Sequence, residues 1–363
     1  MARRSLIVSI VTGGSLLAPS AAFACGGLVA ANGAVNLART TTLAAYVDGI
    51  EHYITGFEFT GLGGAKFGSI VPLPGEPTSV ERAGDWTLQR LVQEVSPPAR
   101  TVRFDALIET AARAQVILEV EIDALDITVV KGGAASVAEW ALEEGFDLSP
   151  DAPEVLEFYA QRSPYFMAAV FDADRAAALN QTAGDSTPIH VTIPVEHPWV
   201  PLRILALGRQ GTEPITADVF LLTETTPALL PAPAGSGSAP GLPIARGLTL
   251  ERSEAASSSL LADLRSDKGM DWLPARGMWF TFLKLDGLAR DIGYDLAIDA
   301  SGAGRPSWRA AGFPLGVFGL AQSPIDASPS GYVARLVQTG WTAASLLLIA
   351  VAAVAVHRRR NLG

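Results

Sequence analysis

One cysteine, Cys25, stands in 363 residues, so the chain can form no internal disulfide, and thiolate zinc sites and redox pairs are closed to it. Stability has to come from burial. Histidine is nearly as scarce: His52, His190, His197 and His357 are the four. Positive charge is short too. Against 37 Asp and Glu stand 27 Lys and Arg, and five of those, Arg3, Arg4, Arg358, Arg359 and Arg360, lie in the two end segments, which leaves the portion between them near −15. A phosphate backbone attracts a basic surface, so nucleic acid is disfavoured as a partner. There is no internal repeat, no Gly-x-Ser-x-Gly nucleophile elbow and no Leu-Pro-x-Thr-Gly sorting motif. Gly61-Leu62-Gly63-Gly64 has Lys66 where the dinucleotide fingerprint needs its third glycine, and a strand follows, so it reads as a hairpin loop and no cofactor is expected.

What is present is concentrated at the ends. Arg3 and Arg4, an apolar stretch from Leu6 through Leu17, and Ala22-Phe23-Ala24 follow the order of a secretory signal peptide, with cleavage expected before Cys25. Cys25 then becomes a candidate for lipidation or an intermolecular disulfide. At the other end, Leu336 to Val356 is free of charge. As a helix it measures roughly 30 Å, the thickness of a bilayer's hydrocarbon core. Arg358, Arg359 and Arg360 follow, and basic residues beside a span stay on the cytoplasmic side; Trp341 suits the outer interface. The expected partner is therefore a lipid bilayer, with the N-terminal bulk outside the cytoplasm.

Between the ends the periodicity predicts an α+β fold with a largely antiparallel sheet. Asp48-Gly49 reads as a hairpin turn between strands at Leu43 to Val47 and Tyr53 to Phe59, and Lys66 to Val71 as a third strand closed by Pro72-Leu73-Pro74-Gly75. Asp85 is placed to cap a helix burying Leu88, Leu91, Val92 and Val95. Val116 to Asp123 alternates as a strand. Helices follow at Ser136 to Glu144, with Gly145 as C-cap, and from Asp151, and strands at Tyr165 to Phe171, Ile189 to Val195, Leu202 to Leu207 and Ile215 to Leu222. The predicted layout is a signal peptide at 1–24, an ectodomain at 25–224, a Pro/Ala/Gly/Ser-rich linker or loop at 225–245, and a second β-containing segment at 246–320. A juxtamembrane stalk at 321–335, a transmembrane helix at 336–356 and a basic tail at 357–363 complete it.

Candidate chemistry is thin. His190, Glu196 and His197 have the composition of a metal cluster, but strand alternation puts His190 and Glu196 on one face and His197 on the other, and they read as solvent-facing strand residues. Ser69 and His52 supply two parts of a catalytic triad on paper only. Glu119 and Glu121 share a strand face, where alternation with apolar residues reads as a solvated sheet surface. Pro72 and Pro74 form a candidate recognition edge, because proline fixes φ and donates no hydrogen bond.

One resemblance runs through the chain. The start Cys25-Gly26-Gly27, the strand end Val71-Pro72-Leu73-Pro74, and the succession Leu125-Asp126-Ile127, Trp140, Gly145-Phe146, Phe158-Tyr159, Tyr165-Phe166-Met167-Ala168 and Pro201-Leu202-Arg203-Ile204 carry it. Over most of Cys25 to about Leu207 the chain resembles an uncharacterised bacterial family, domain of unknown function 2330. Gly68 and Ser69 stand where the family has an aromatic-rich form. The resemblance implies export and, in many members, a C-terminal span; it implies no activity. The expectation is thus an envelope-facing binding or structural module with an unidentified protein or glycan partner, the alternative being an exported hydrolase.

Overall fold

The computed structural model describes residues 27–30, 40–57, 67–96, 118–179, 187–237 and 242–313. The signal peptide, Cys25, the Gly61 to Gly64 loop, Trp341, the predicted span and the terminal arginines lie outside them. The chain opens with β1 (Gly27–Ala30), β2 (Thr40–Val47), β3 (Ile50–Phe57), β4 (Phe67–Pro72), β5 (Ser79–Arg82) and α1 (Thr87–Val95). Next come β6 (Leu118–Ile122), β7 (Leu125–Lys131), α2 (Ala134–Glu143), α3 (Ala152–Ala160), β8 (Tyr165–Phe171), α4 (Ala173–Ala178), β9 (Thr187–Pro194) and β10 (Trp199–Val200). The last part holds β11 (Pro214–Thr223), β12 (Ala228–Leu230), β13 (Ala232–Ala234), β14 (Ile244–Ala255), α5 (Ser258–Arg265), β15 (Trp279–Leu288) and β16 (Leu296–Asp299).

These strands form an eight-stranded sheet in the order β13-β14-β15-β11-β2-β3-β9-β5, a five-stranded sheet β1-β4-β8-β7-β6, and a small sheet β10-β16-β12. The fold is α+β and mostly antiparallel, with parallel pairing only at β2–β11 and β13–β14 among the described strands. Alternation along each strand then builds four layers. In β8, Met167 and Ala169 point between the two large sheets, where Tyr53, Ile193, Val219 and Leu221 meet Val71, Ile127 and Val129. Phe166, Ala168 and Val170 point the other way, onto Trp140 of α2 and Leu156 and Tyr159 of α3. The outer face of the eight-stranded sheet, with Leu43, Ile54, Phe220 and Phe280, is covered by Leu88 and Leu91 of α1 and Leu261 and Leu264 of α5. Each such buried side chain contributes about 2 kcal/mol, the main source of stability in a fold without disulfides.

Three expectations change. Asp85 does not cap α1: it is paired with Arg82 at 2.8 Å, and Asp267, from the loop after α5, accepts from the Trp86 and Thr87 backbone N–H groups at 3.1 and 2.7 Å. Leu202 to Leu207 is not a strand but contains a 3-10 turn, Arg203–Ala206. Residues three apart eclipse in such a turn, and here Leu202 and Leu205 enter the inner core while Ile204 and Leu207 enter the outer one. The supposed linker at 225–245 carries β12, β13 and the start of β14, with Leu230, Ala232 and Ala245 buried. Pro233 fits because β13 is a sheet edge, where a missing N–H costs nothing. A point the sequence leaves open is also decided: β14 and β15 complete the eight-stranded sheet, so described residues beyond 245 pack as part of the same body. None of the described helices is long and apolar enough to cross a membrane.

Candidate functional site

Two adjacent residues of β3 face opposite sides of the eight-stranded sheet. Glu51 and Tyr53 point between the large sheets, while His52 and Ile54 point toward α1 and α5. In the β3–β9 ladder Thr192 lies opposite His52 and Ile54 opposite His190, so the histidines are diagonal neighbours. Their rings meet: His52 Nδ1 and His190 Nε2 are 3.0 Å apart. Trp272, from the loop after α5, stacks on His52 with centroids 3.6 Å apart and planes 3° from parallel. At 7 % and 6 % exposure both imidazoles are buried. Burial, then the neighbouring His190, pushes His52 down to about 3, and burial lowers His190 to about 4, so both are neutral at ordinary pH.

On the other face, Glu51 is fully buried and neither carboxyl oxygen has a hydrogen-bond partner. Burial raises it to about 8; the Trp199 backbone N–H acts in the opposite direction but lies outside hydrogen-bonding geometry. Glu51 is therefore a neutral acid near pH 7. Its cross-strand partner Tyr46 donates to the Val195 carbonyl at 2.8 Å. Burial and then Glu51, Glu196, Glu224 and Asp299 raise the Tyr46 hydroxyl above its usual range.

A third buried centre joins α3, the 3-10 turn and β16. Asp295, with no exposed surface, accepts at Oδ1 from Tyr159 Oη at 2.9 Å and from the Leu202 and Arg203 backbone N–H groups at 2.7 and 2.9 Å. Its Oδ2 takes the Arg162 guanidinium. Tyr159 Oη in turn accepts from the Ile204 N–H at 2.8 Å, and Arg162 donates to the Ala310 carbonyl at 2.7 Å. The guanidinium also lies over the Phe158 ring at 4.0 Å and the Trp199 ring at 4.7 Å. This is a saturated network, and desolvation with the Asp295 charge holds the Tyr159 hydroxyl well above its usual range.

The predicted site residues are dispersed. His190 is a correction: it is buried against His52 rather than facing solvent, because Trp272 from the loop after α5 lies over this pair. Glu196 and His197 are exposed beyond the end of β9, and among the described residues no group of three His, Cys, Asp or Glu side chains could hold a metal ion. Ser69 belongs to β4 and faces the inner core with Phe67 and Val71, whereas His52 faces the opposite side of the other sheet, so the paper triad does not assemble. Glu119 is exposed and Glu121 lies 3.8 Å from Arg175. Pro72 is buried at the end of β4, opposite Phe166 of β8, and Leu73 donates to the Tyr165 carbonyl at 3.0 Å; Pro74 is half-buried. Sequence reasoning missed the His52–His190 pair, Trp272, Arg162 and Asp295, since nothing local says which distant strands pair.

Two packed sheets flanked by helices, with a saturated Tyr159–Arg162–Asp295 network and an unpartnered Glu51 in the interior, define a double-sheet α+β module. Residues 19–224 match the family described as "Uncharacterized protein conserved in bacteria", domain of unknown function 2330 (DUF2330), and the chain belongs to that family. Tyr159, Arg162, Arg203 and Ile204 fall inside the matched span, and Asp295, which ties them together, falls outside it. Comparison with curated proteins and with solved structures gave no match.

Proposed function

We propose that this protein is a binding or structural module of the bacterial cell envelope, its acidic α+β portion outside the cytoplasm and residues 336–356 crossing the membrane once. The observation that carries this reading is the uncharged run Leu336 to Val356 with Arg358, Arg359 and Arg360 directly behind it. A run of that length matches the roughly 30 Å hydrocarbon thickness, and the arginines hold it with the tail in the cytoplasm. Binding is favoured over hydrolysis by where the reactive side chains stand. A hydrolase needs a nucleophile and base within hydrogen-bond reach, yet His52 is occupied by His190 on the side of its sheet away from Ser69. The partners are the lipid bilayer and an envelope protein or glycan. Crosslinking and pull-down from native membranes, beside ester, peptide and glycoside panels on the same purified protein, test the reading. A reproducible envelope partner without turnover is expected; turnover above a denatured control overturns it.

A further inference from the structure

We propose that the corner of the molecule beside the Asp48-Gly49 turn binds a small aliphatic polyamine, whose ammonium groups are held by Glu196, Glu224 and Asp299 around the Tyr46 hydroxyl. Separate segments bring these groups together. Tyr46 stands on β2, and its hydroxyl reaches past β3 to the Val195 carbonyl at 2.8 Å, next to Glu196. Thr223 is its neighbour on β11, and Glu224 follows, with its carboxylate 3.3 Å from the Asp48 backbone N–H. Asp299 ends β16, which the Thr225 hydroxyl ties to the same corner through the Ala300 carbonyl at 2.7 Å. After burial itself, Glu51 and then Glu196, Glu224 and Asp299 raise the Tyr46 hydroxyl, which places all four carboxylates within electrostatic reach of it. Glu196 and Glu224 are exposed, and Tyr46 and Asp299 half-buried, so a ligand meets them from solvent without opening the core. Among the described residues no Lys or Arg pairs with these three acids. Like charges gathered without a counter-ion repel one another, and a bound cation relieves that.

Glu51 points to the same corner from the inside. It lies opposite Tyr46 on one face of the sheet, has no exposed surface, and neither of its oxygens has a partner. The titratable groups around it are Tyr46 from β2, Glu196 and His197 after β9, Glu224 after β11 and Asp299 from β16, with the Trp199 backbone N–H from β10. The ligand stays in front of Tyr46 and Glu51 behind it. A cation on the rim favours ionised Glu51, which burial holds at about 8 without one. Binding therefore releases part of a proton near neutral pH and tightens as pH rises through about 8. A metal ion fits less well, because among the described residues no three His, Cys, Asp or Glu groups stand close enough to hold one. Ammonium groups spaced along a flexible chain reach carboxylates that are farther apart. Convergence on one hydroxyl, rather than a row along a strand or helix, suits a compact amine over an extended peptide. The site does not depend on the membrane reading above.

The test titrates the full mature chain in detergent with spermidine at low ionic strength. Calorimetry near neutral pH in buffers of different ionisation heat reads affinity and proton release together. One site with proton release is expected. Glu196→Gln and Glu224→Gln, both at exposed positions, should each weaken binding about fivefold, while Glu139→Gln on α2 should leave it unchanged. Glu51→Gln should still bind spermidine but release no proton, a readout that a merely structural role would not move. Unchanged affinity in Glu196→Gln and Glu224→Gln, or proton release that survives in Glu51→Gln, would overturn the proposal. So would tighter binding of Ca(II), or of an end-blocked trilysine peptide of the same charge as spermidine.

Discussion

Tyr159 and Asp295, 136 residues apart in the chain, are joined by a buried hydrogen bond of 2.9 Å. Through it a helix that flanks the five-stranded sheet, a 3-10 turn and the start of a late strand are fixed to one another. The same carboxylate neutralises Arg162, so its removal strands a buried cation. Asp295→Ala should therefore cost about 3–5 kcal/mol, and Tyr159→Phe about 1–2 kcal/mol. Urea unfolding of the two variants measures both; equal and small losses would show that the network carries little.

The family match ends at residue 224, but β11 has β15 as its other neighbour in the eight-stranded sheet. A chain of residues 25–224 exposes the edge of β11 and lacks Asp295. It should aggregate or lack cooperative unfolding, whereas residues 25–313 should melt in one transition by circular dichroism. A cooperative, monomeric 25–224 would contradict the integrated sheet.

Asp267 rather than Asp85 serves the N-terminus of α1. Besides two backbone donors it accepts from Thr87 Oγ1 at 2.7 Å. Asp267→Ala should lose about 1–2 kcal/mol and Asp85→Ala, which breaks a partly exposed ion pair, under about 1 kcal/mol. Gly84→Ala should also destabilise, since an added Cβ would fall 2.0 Å from Asp267 Oδ1. Thermal melts of the three variants rank them.

Glu51 and the His52–His190 pair give stability two opposing pH limbs. Glu51 rises from 4.5 to about 8 on folding. Its contribution is full below the unfolded value and is lost as pH climbs from 4.5 through about 8. The histidines fall from 6.5 to about 3 and about 4. Theirs is full above 6.5 and lost as pH falls through about 4 and then 3. Glu51→Gln should abolish the alkaline limb and leave the acid limb. At about pH 9 it should be more stable than the parent by a few kcal/mol. Urea midpoints across pH decide it; an alkaline limb unchanged in Glu51→Gln assigns the loss to another group.

Much of the fold was legible where one strand or helix announces itself. The Asp48-Gly49 hairpin, the identical bounds Tyr165 to Phe171 for β8, and the buried Val137, Trp140 and Ala141 of α2 all follow from period and turn chemistry. Failures came where a distant partner overrides local signal. Leu202 to Leu207 has the composition of a strand but is coiled by Asp295 and Tyr159 capturing its backbone N–H groups. The prolines and alanines of 225–245 pair because an edge and a small third sheet are there to receive them. The site was less legible still, since His52 and His190 are partners only through the β3–β9 ladder.

The central claim is an external module held by one C-terminal span, and cell fractionation with tags at both ends of the mature chain tests it most directly. The intact protein should stay with membranes through alkaline carbonate washing, with its N-terminal tag open to external protease and its C-terminal tag shielded. Recovery of the intact chain, Arg358 to Arg360 included, in the soluble fraction would contradict it.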